Sequence, residues 1–181
     1  GKAQINYNFS YGWQSAWKKR DVTSATEYAI LQNEKYLNGG SAPIYADPYS
    51  LIDSNGAAIT GFGTDWQELV FNDNAPMMNH DVTVSGASEK VNYYLSMGYL
   101  KQEGIVGGNY GHSNYDRLTL RSNTNYNLWD ASKERSFLNK LDLSVNVAYM
   151  STHSTGVSEN SEFGSILGSA LYMSPLLTPT L

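Results

Sequence analysis

From Gln4 to Gln14 the chain alternates without a break: Ile5, Tyr7, Phe9, Tyr11 and Trp13 are interleaved with Gln4, Asn6, Asn8, Ser10, Gly12 and Gln14. A period of two belongs to an extended backbone, which sends successive side chains to opposite faces. The run is therefore a strand with one apolar face and one uncharged polar face. The same alternation returns four times. Val82 and Val84 oppose Asp81, Thr83 and Ser85, and Val91, Tyr93, Leu95, Met97 and Tyr99 oppose Asn92, Tyr94, Ser96 and Gly98. Leu118, Leu120, Tyr126 and Leu128 oppose Arg117, Thr119, Arg121, Asn123, Asn125 and Asn127. Leu141, Leu143, Val145, Val147 and Tyr149 oppose Lys140, Asp142, Ser144, Asn146 and Ala148. Strands are expected over about 4–14, 79–86, 91–101, 114–128 and 138–150, so the fold class is all-β with minor helices and antiparallel strands.

Helical spacing interrupts this pattern only locally. Ser24 with Glu27 fits a capping box, and Tyr28, Leu31 and Lys35-Tyr36 continue one helical face. Residues 39–63 are rich in Gly, Pro, Ser, Asp and Asn and read as a loop, with a turn at Asp53-Ser54-Asn55-Gly56. A short helix capped by Thr64 or Asp65 follows. Another is expected from about Ser161 to Tyr172, ended by Pro175.

Two architectures suit such strands: a soluble antiparallel sandwich, or part of a transmembrane barrel. Three features favour the barrel. The polar faces carry Asn, Ser, Thr and Gln where a solvated face carries more Lys and Glu, and charged residues make up only 16% of the chain. Tyr11, Trp13, Tyr99, Tyr126 and Tyr149 fall near strand ends, where an interfacial aromatic girdle sits. The strands approach the 9–11 residues that cross a bilayer when tilted. Connections alternate between long (15–78, 102–113, and the stretch after Ser151) and short (87–90, 129–137). In a barrel this places 15–78, 102–113 and 151–181 outside and the short turns on the periplasmic side.

Several chemistries are disfavoured. A net charge of −5 speaks against a nucleic-acid partner. The absence of Cys excludes disulfides and thiolate metal sites. No run reaches the ~20 apolar residues of a membrane helix. His80, His112 and His153 lie in separate segments without ligand spacing, and Asp53-Ser54-Asn55-Gly56 lacks the later Glu of a calcium loop. Gly104, Gly107, Gly108 and Gly111 connect strands and do not open a phosphate-binding helix. Glu159 and Glu162 read as acidic residues at a helix start, with a glycan-acting acid–base pair as the competing enzyme reading. No catalytic residue, metal or cofactor is expected. Gly1-Lys2-Ala3-Gln4 is strand-like and Pro175-Leu176-Leu177-Thr178-Pro179 stops abruptly, so we expect a piece of something larger.

Linked motifs then carry a resemblance. Gly63-Thr64-Asp65-Trp66-Gln67-Glu68, Val84-Ser85-Gly86-Ala87-Ser88-Glu89-Lys90 and the stretch from Asn92 to Ile105 resemble, in order and spacing, the SusC/RagA-like TonB-dependent outer-membrane transporters. Asn114 to Asn123 is similar to the strand that follows in that family, and Ser165 to Leu171 with Pro175 to its next external segment. Ala87 stands where the family often has a second Gly, and Lys101 where an acidic residue is common. The resemblance implies a 22-stranded barrel with an N-terminal plug, of which this chain would be the first five strands and their loops. It also implies energy-coupled import of glycan oligomers or peptides at the bacterial outer membrane. The implied partners are TonB and a SusD-like surface lipoprotein that lids the barrel, with outer-membrane lipid around the wall. Arg117, Arg121, Asn123 and Asn125 would then face the lumen, touching plug or substrate. Trp66, Tyr45, Tyr49 and Tyr110 would be loop aromatics that stack on sugars, pack on the lipoprotein or, for Trp66 above all, fold the loop onto itself. The alternative function is a soluble β-rich carbohydrate-binding module.

Overall fold

A computed structural model describes residues 2–107, 113–131, 133–134, 137–157 and 164–179. The chain forms two compact units. One holds residues 1–14, 74–104 and 113–156, and the other holds 15–73, 105–112 and 157–181.

The first unit is a five-stranded antiparallel sheet of β1 (Gln4–Gln14), β2 (Ala75–Ala87), β3 (Val91–Glu103), β4 (Asn114–Asp130) and β5 (Lys140–Thr155), each hydrogen-bonded to its neighbours in sequence. This meander follows from strands joined, after β2, by connections of ten residues or fewer, which favour adjacent antiparallel pairing. Between β2 and β3 the Ser88 N–H donates to the Val91 carbonyl at 2.7 Å, closing the hairpin. Register follows from the alternation, because a slip of one residue would move every apolar side chain to the wrong face. Ile5 pairs with Val84, Val84 with Leu95, Leu95 with Ser122 and Ser122 with Val147.

Four strands run past the expected bounds, β4 among them, which ends at Asp130 rather than 128. β2 begins at Ala75 rather than near residue 79, β3 continues to Glu103, and β5 continues to Thr155 rather than ending at 150. The extra residues, such as Met77, Gln102 and Ser154, break the apolar/polar alternation. Their pairing comes from neighbouring strands and leaves no mark in the local pattern. In β4 the register shifts between Asn127 and Trp129. Leu128 thereby sits in the irregularity, and Trp129, opposite Leu141, takes the apolar-face position expected for Leu128.

The second unit is built on three helices: α1 (Ala25–Asn38), α2 (Trp66–Val70) and α3 (Ile166–Tyr172). Ser24 and Glu27 form the expected box, with each side chain satisfying the other residue's backbone N–H. Glu27 accepts from the Ser24 backbone N–H at 2.8 Å, which holds its carboxyl below the usual range. The cap of α2 is Asp65, which accepts from Gln67 and Glu68. In α3 the cap is Ser165, so the helix proper starts later than the expected Ser161, and residues 158–163 lie outside the described residues. A small core of Ala25, Ala29, Leu51 and Leu176 is covered by Tyr28, Tyr45 and Ile59. No helix among the described residues is long and apolar enough to cross a membrane.

Candidate functional site

The sheet does not bury itself. The chain has 12978 Å² of accessible surface. A self-contained globular protein of this mass would expose roughly 8,700 Å². Among the described residues no large side chain is fully buried, and Ile5, Trp13, Val147 and Tyr149 all stand more than half exposed. A sandwich would cover such a face with a second sheet. The described residues contain only one sheet, with β1 and β5 as its edges.

The exposed apolar face is ordered. On each strand a nine-residue stretch carries most of the apolar outward positions: Ile5 to Trp13, Pro76 to Val84, Val91 to Tyr99, Leu118 to Tyr126 and Leu141 to Tyr149, with Trp129 of β4 lying just past its stretch. Nine residues match the hydrocarbon crossing of a tilted strand. These runs do not lie side by side. Ile5 opens the run in β1, and its row reaches β5 at Val147, six residues beyond Leu141, where the β5 run opens. Six residues are roughly 20 Å of strand, and four strand spacings are roughly 19 Å. The apolar band therefore crosses the strands obliquely, and strands standing across such a band are tilted by about 45°. Barrel strands tilt by that amount in a membrane. In solution no force would select such an oblique band.

Polar groups on this face are confined or matched. In β4 two of the five outward positions are the hydroxyl residues Ser122 and Thr124. His80 lies mid-band in β2, its Nδ1 hydrogen-bonded to the Tyr7 hydroxyl at 2.8 Å and its ring 4.7 Å from that of Phe9. Sequence reasoning set His80 aside as a scattered polar residue; its even parity with Val82 and Val84 was the available signal. At the end of the sheet with the long connections, the row Lys101–Asp116–His153 lies just past the band, and the Tyr99 hydroxyl donates to Asp116 at 3.2 Å. Mid-band, Val82, Leu95, Met97, Leu120, Val147 and Tyr149 line a shallow apolar hollow of about 360 Å³.

The opposite face is polar, and all four β4 candidates lie on it: Arg117 with Asn79 and Leu100, Arg121 with Thr83 and Ser96, Asn123 with Tyr94, and Asn125 with Asn92. Arg117 and Arg121 line a hollow of about 420 Å³ together with Asn79, Asp81, Tyr94 and Thr119. Asn123 and Asn125 share the face but not the hollow. Sequence reasoning missed Asp81. It sits in the row between the two arginines, opposite Gly98 and, through it, Thr119. A side chain at position 98 would come within 3.0 Å of the Asp81 carboxylate, so Gly98 leaves the floor on which that carboxylate lies. The Asn79 amide donates to Asp81. Among the described residues neither guanidinium forms an ion pair.

The loop aromatics have different surroundings. Trp66 is half-buried, and its indole Nε1–H donates to the Ser174 carbonyl at 2.9 Å, tying α2 to the segment after α3. Tyr45 packs on the small core, and its backbone is gripped by Asn33, which accepts from its N–H and donates to its carbonyl. Burial raises the Tyr45 hydroxyl above its ordinary range. Tyr49 is 81% exposed. Tyr110 lies outside the described residues. Buried Gln67 was also missed: its side-chain amide bonds both the N–H and the carbonyl of Arg20, at 2.9 and 2.7 Å. Lys19 bonds Glu68 at 2.5 Å with Asp73 3.7 Å away, which raises its ammonium above the usual range. Asp53 accepts from the N–H groups of Asn55 and Ala57 and from the Thr178 hydroxyl, so the calcium-like loop spends its carboxylate on its own turn. Among the described residues no three His, Asp or Glu side chains converge on a metal position.

No protein-family model matches the chain. It is 30% identical over 132 residues to the TonB-dependent receptor P26 of Formosa agariphila, covering 73% of this chain and 12% of that receptor. It is 26% identical over 171 residues to the TonB-dependent receptor SusC of Bacteroides thetaiotaomicron, covering 94% of this chain and 14% of SusC. The chain thus spans about an eighth of the length of these relatives. Among solved structures it superposes on the RagAB peptide transporter with a TM-score of 0.67 at 18% identity, over 97% of this chain and 20% of that one. Its TM-score against the RagAB peptide importer in the closed-closed state is 0.59 at 20% identity, with the same coverage. At these identities the structural likeness carries the fold alone: antiparallel strands of a β-barrel.

Proposed function

We propose, from the premise that this chain belongs to the SusC/RagA-like TonB-dependent receptors of the outer membrane, that it builds the opening strands of the barrel wall in an energy-coupled importer. The observation that carries this is the oblique nine-residue apolar band, which makes one face of the sheet a lipid surface and the other the wall of a polar lumen. The edges of β1 and β5 supply the next strands' hydrogen bonds, since an unpaired edge is not tolerated in hydrocarbon. The chain therefore works only inside a closed barrel. The long connections lie outside the cell, where exposed Tyr49 meets cargo or a surface lipoprotein lid of the SusD kind. Coupling to TonB runs through parts beyond these residues. The cargo is an oligomer, glycan or peptide, too large to diffuse through a narrow pore.

The test is uptake. A strain lacking the full-length gene should lose import of a fluorescent oligomer, either a glycan or a peptide. Complementation should restore import, and a protonophore should abolish it. Import that survives deletion or ignores the protonophore would overturn the reading. The soluble carbohydrate-module alternative makes the opposite prediction: the isolated chain would be monodisperse without detergent and melt cooperatively.

A further inference from the structure

Just after β1 the chain carries a short aromatic and basic run, Trp17-Lys18-Lys19-Arg20. Three consecutive cations stand out in a chain with 12 Lys and Arg against 17 Asp and Glu. The three are not used alike. Lys19 is committed to its own unit, bonded to Glu68, 3.7 Å from Asp73 and 5.7 Å from the centre of the Phe71 ring. Gln67 grips both backbone groups of Arg20, which pins the segment on α2 while Arg20 itself stays exposed. Among the described residues the Arg20 guanidinium forms no ion pair. Lys18 reaches Asp21 at 3.6 Å, with side chains 71% and 94% exposed, and so open a pair contributes little. Trp17 is 100% exposed, so no described residue covers its indole.

The place of the run in the chain names its occupant. Trp13 closes the outward apolar stretch of β1, and the backbone from Trp13 to Trp17 spans at most about 14 Å. The headgroup layer on one side of a bilayer is roughly 5–8 Å deep. Chain length alone therefore keeps Trp17 within reach of that layer. An indole is favoured there, because its ring meets the upper acyl chains while its N–H meets water and headgroups. A guanidinium fork takes two phosphate oxygens at once, and an ammonium adds a point charge beside it. We propose that Trp17, Lys18 and Arg20 moor the root of the first long connection to the phosphate-bearing headgroups of outer-leaflet lipid. Phosphate displaces Asp21 from Lys18 and matches the charge that Arg20 leaves open. A neutral sugar would stack on Trp17 and leave both cations unmatched. The proposal rests on the apolar face being lipid-facing.

The experiment uses the full-length receptor in vesicles of phosphatidylcholine, alone or mixed with phosphatidylglycerol, with a nitroxide on one introduced cysteine. Collisions with oxygen, which concentrates in hydrocarbon, and with a neutral nickel chelate, which stays in water, report its depth. A probe at Ala16→Cys should read the headgroup layer, between Leu95→Cys in the band and Asn55→Cys in an exposed turn. In the mixed vesicles Lys18→Gln with Arg20→Gln should lower the docked-to-free ratio about 25-fold, since each cation at an anionic surface is worth roughly fivefold. In phosphatidylcholine alone the same double variant should change little. Trp17→Ala should move the probe toward water in both lipids. A probe as aqueous as the one at Asn55 in both lipids would overturn the proposal. So would a probe shielded from both collision partners, or a double variant that acts equally in the two lipids. The Leu95 probe separates the two levels. If it lies outside hydrocarbon, the lipid reading of the band itself falls; if it lies in hydrocarbon while the Ala16 probe is aqueous, only the mooring falls.

Discussion

An arginine scan along one row of the sheet tests the oblique band directly. Ile5, Leu95 and Val147 belong to the same register row and the same face, yet the band places them at different depths. Leu95 is the middle of its nine-residue run; Val147 is two residues from the middle of its own, and Ile5 four. With a rise of roughly 3.4 Å per residue and a tilt of about 45°, their distances from the bilayer midplane are about 0, 5 and 10 Å. Arginine on the lipid face costs about 2–4 kcal/mol at the midplane and about 0–1 near the interface. Leu95→Arg should therefore cost about 2–4 kcal/mol, Val147→Arg an intermediate amount, and Ile5→Arg under about 1 kcal/mol. The assay is the urea midpoint of the full-length receptor folded into phosphatidylcholine vesicles, read from the band that resists SDS without boiling. Asn92→Arg, on the polar face of the same strand as Leu95 and opposite Asn125, is the control and should move the midpoint little. Burial in the isolated chain predicts another result, since Ile5 at 71% exposure, Val147 at 56% and Leu95 at 42% would all tolerate a solvated arginine. Three equal costs, or a maximum at Ile5, would refute both the tilt and the lipid assignment.

Tyr7→Phe leaves His80 without its hydroxyl partner in the middle of the band; a loss of about 1–3 kcal/mol in the same assay is expected, and no change would place His80 outside lipid. Gly86→Ala would put a methyl group within 2.6 Å of the Tyr93 ring that lies over it, so the ring must leave; about 1–3 kcal/mol and a changed Tyr environment in near-ultraviolet circular dichroism should follow. Trp66→Phe removes the donor to Ser174 and should make the segment after α3 more open to protease, without altering the SDS-resistant band. Acid should loosen the α1 cap. The Glu27 carboxyl is held below the usual carboxylate range by the Ser24 backbone N–H and then its side chain, so its stabilisation is complete above that range and is lost as pH falls through the lowered value. Hydrogen exchange of the first turn of α1 should therefore accelerate as pH falls through that lowered value, and Glu27→Gln should remove that dependence.

The strands, their faces and the α1 cap were legible because each is written within a few residues. Alternation with a period of two assigns Ile5 and Tyr7 to one side and Asn6 and Asn8 to the other, whatever the partner strand. Ser24 and Glu27 meet three residues apart in any helix that starts there. The polar side of Arg117, Arg121, Asn123 and Asn125 follows in the same way. Register was not legible. Sliding a strand by two residues keeps every side chain on its face, so the sequence alone leaves open which residue of β5 stands opposite Leu95's row. Only strand pairing decided that Ile5 lines up with Val147, and with it the slope of the band. Pairing also set Asp81 over Gly98 between two arginines of a strand some forty residues on, moved Trp129 past an irregularity onto the apolar face, and extended β2 and β5 beyond their alternating cores. Gln67 and Asn33 lock loops through contacts that no local period announces. The sequence by itself determined what each side of the sheet is made of; the tertiary structure decided where along the strands those sides meet, because hydrogen-bonded pairing couples residues that the period of two treats as independent.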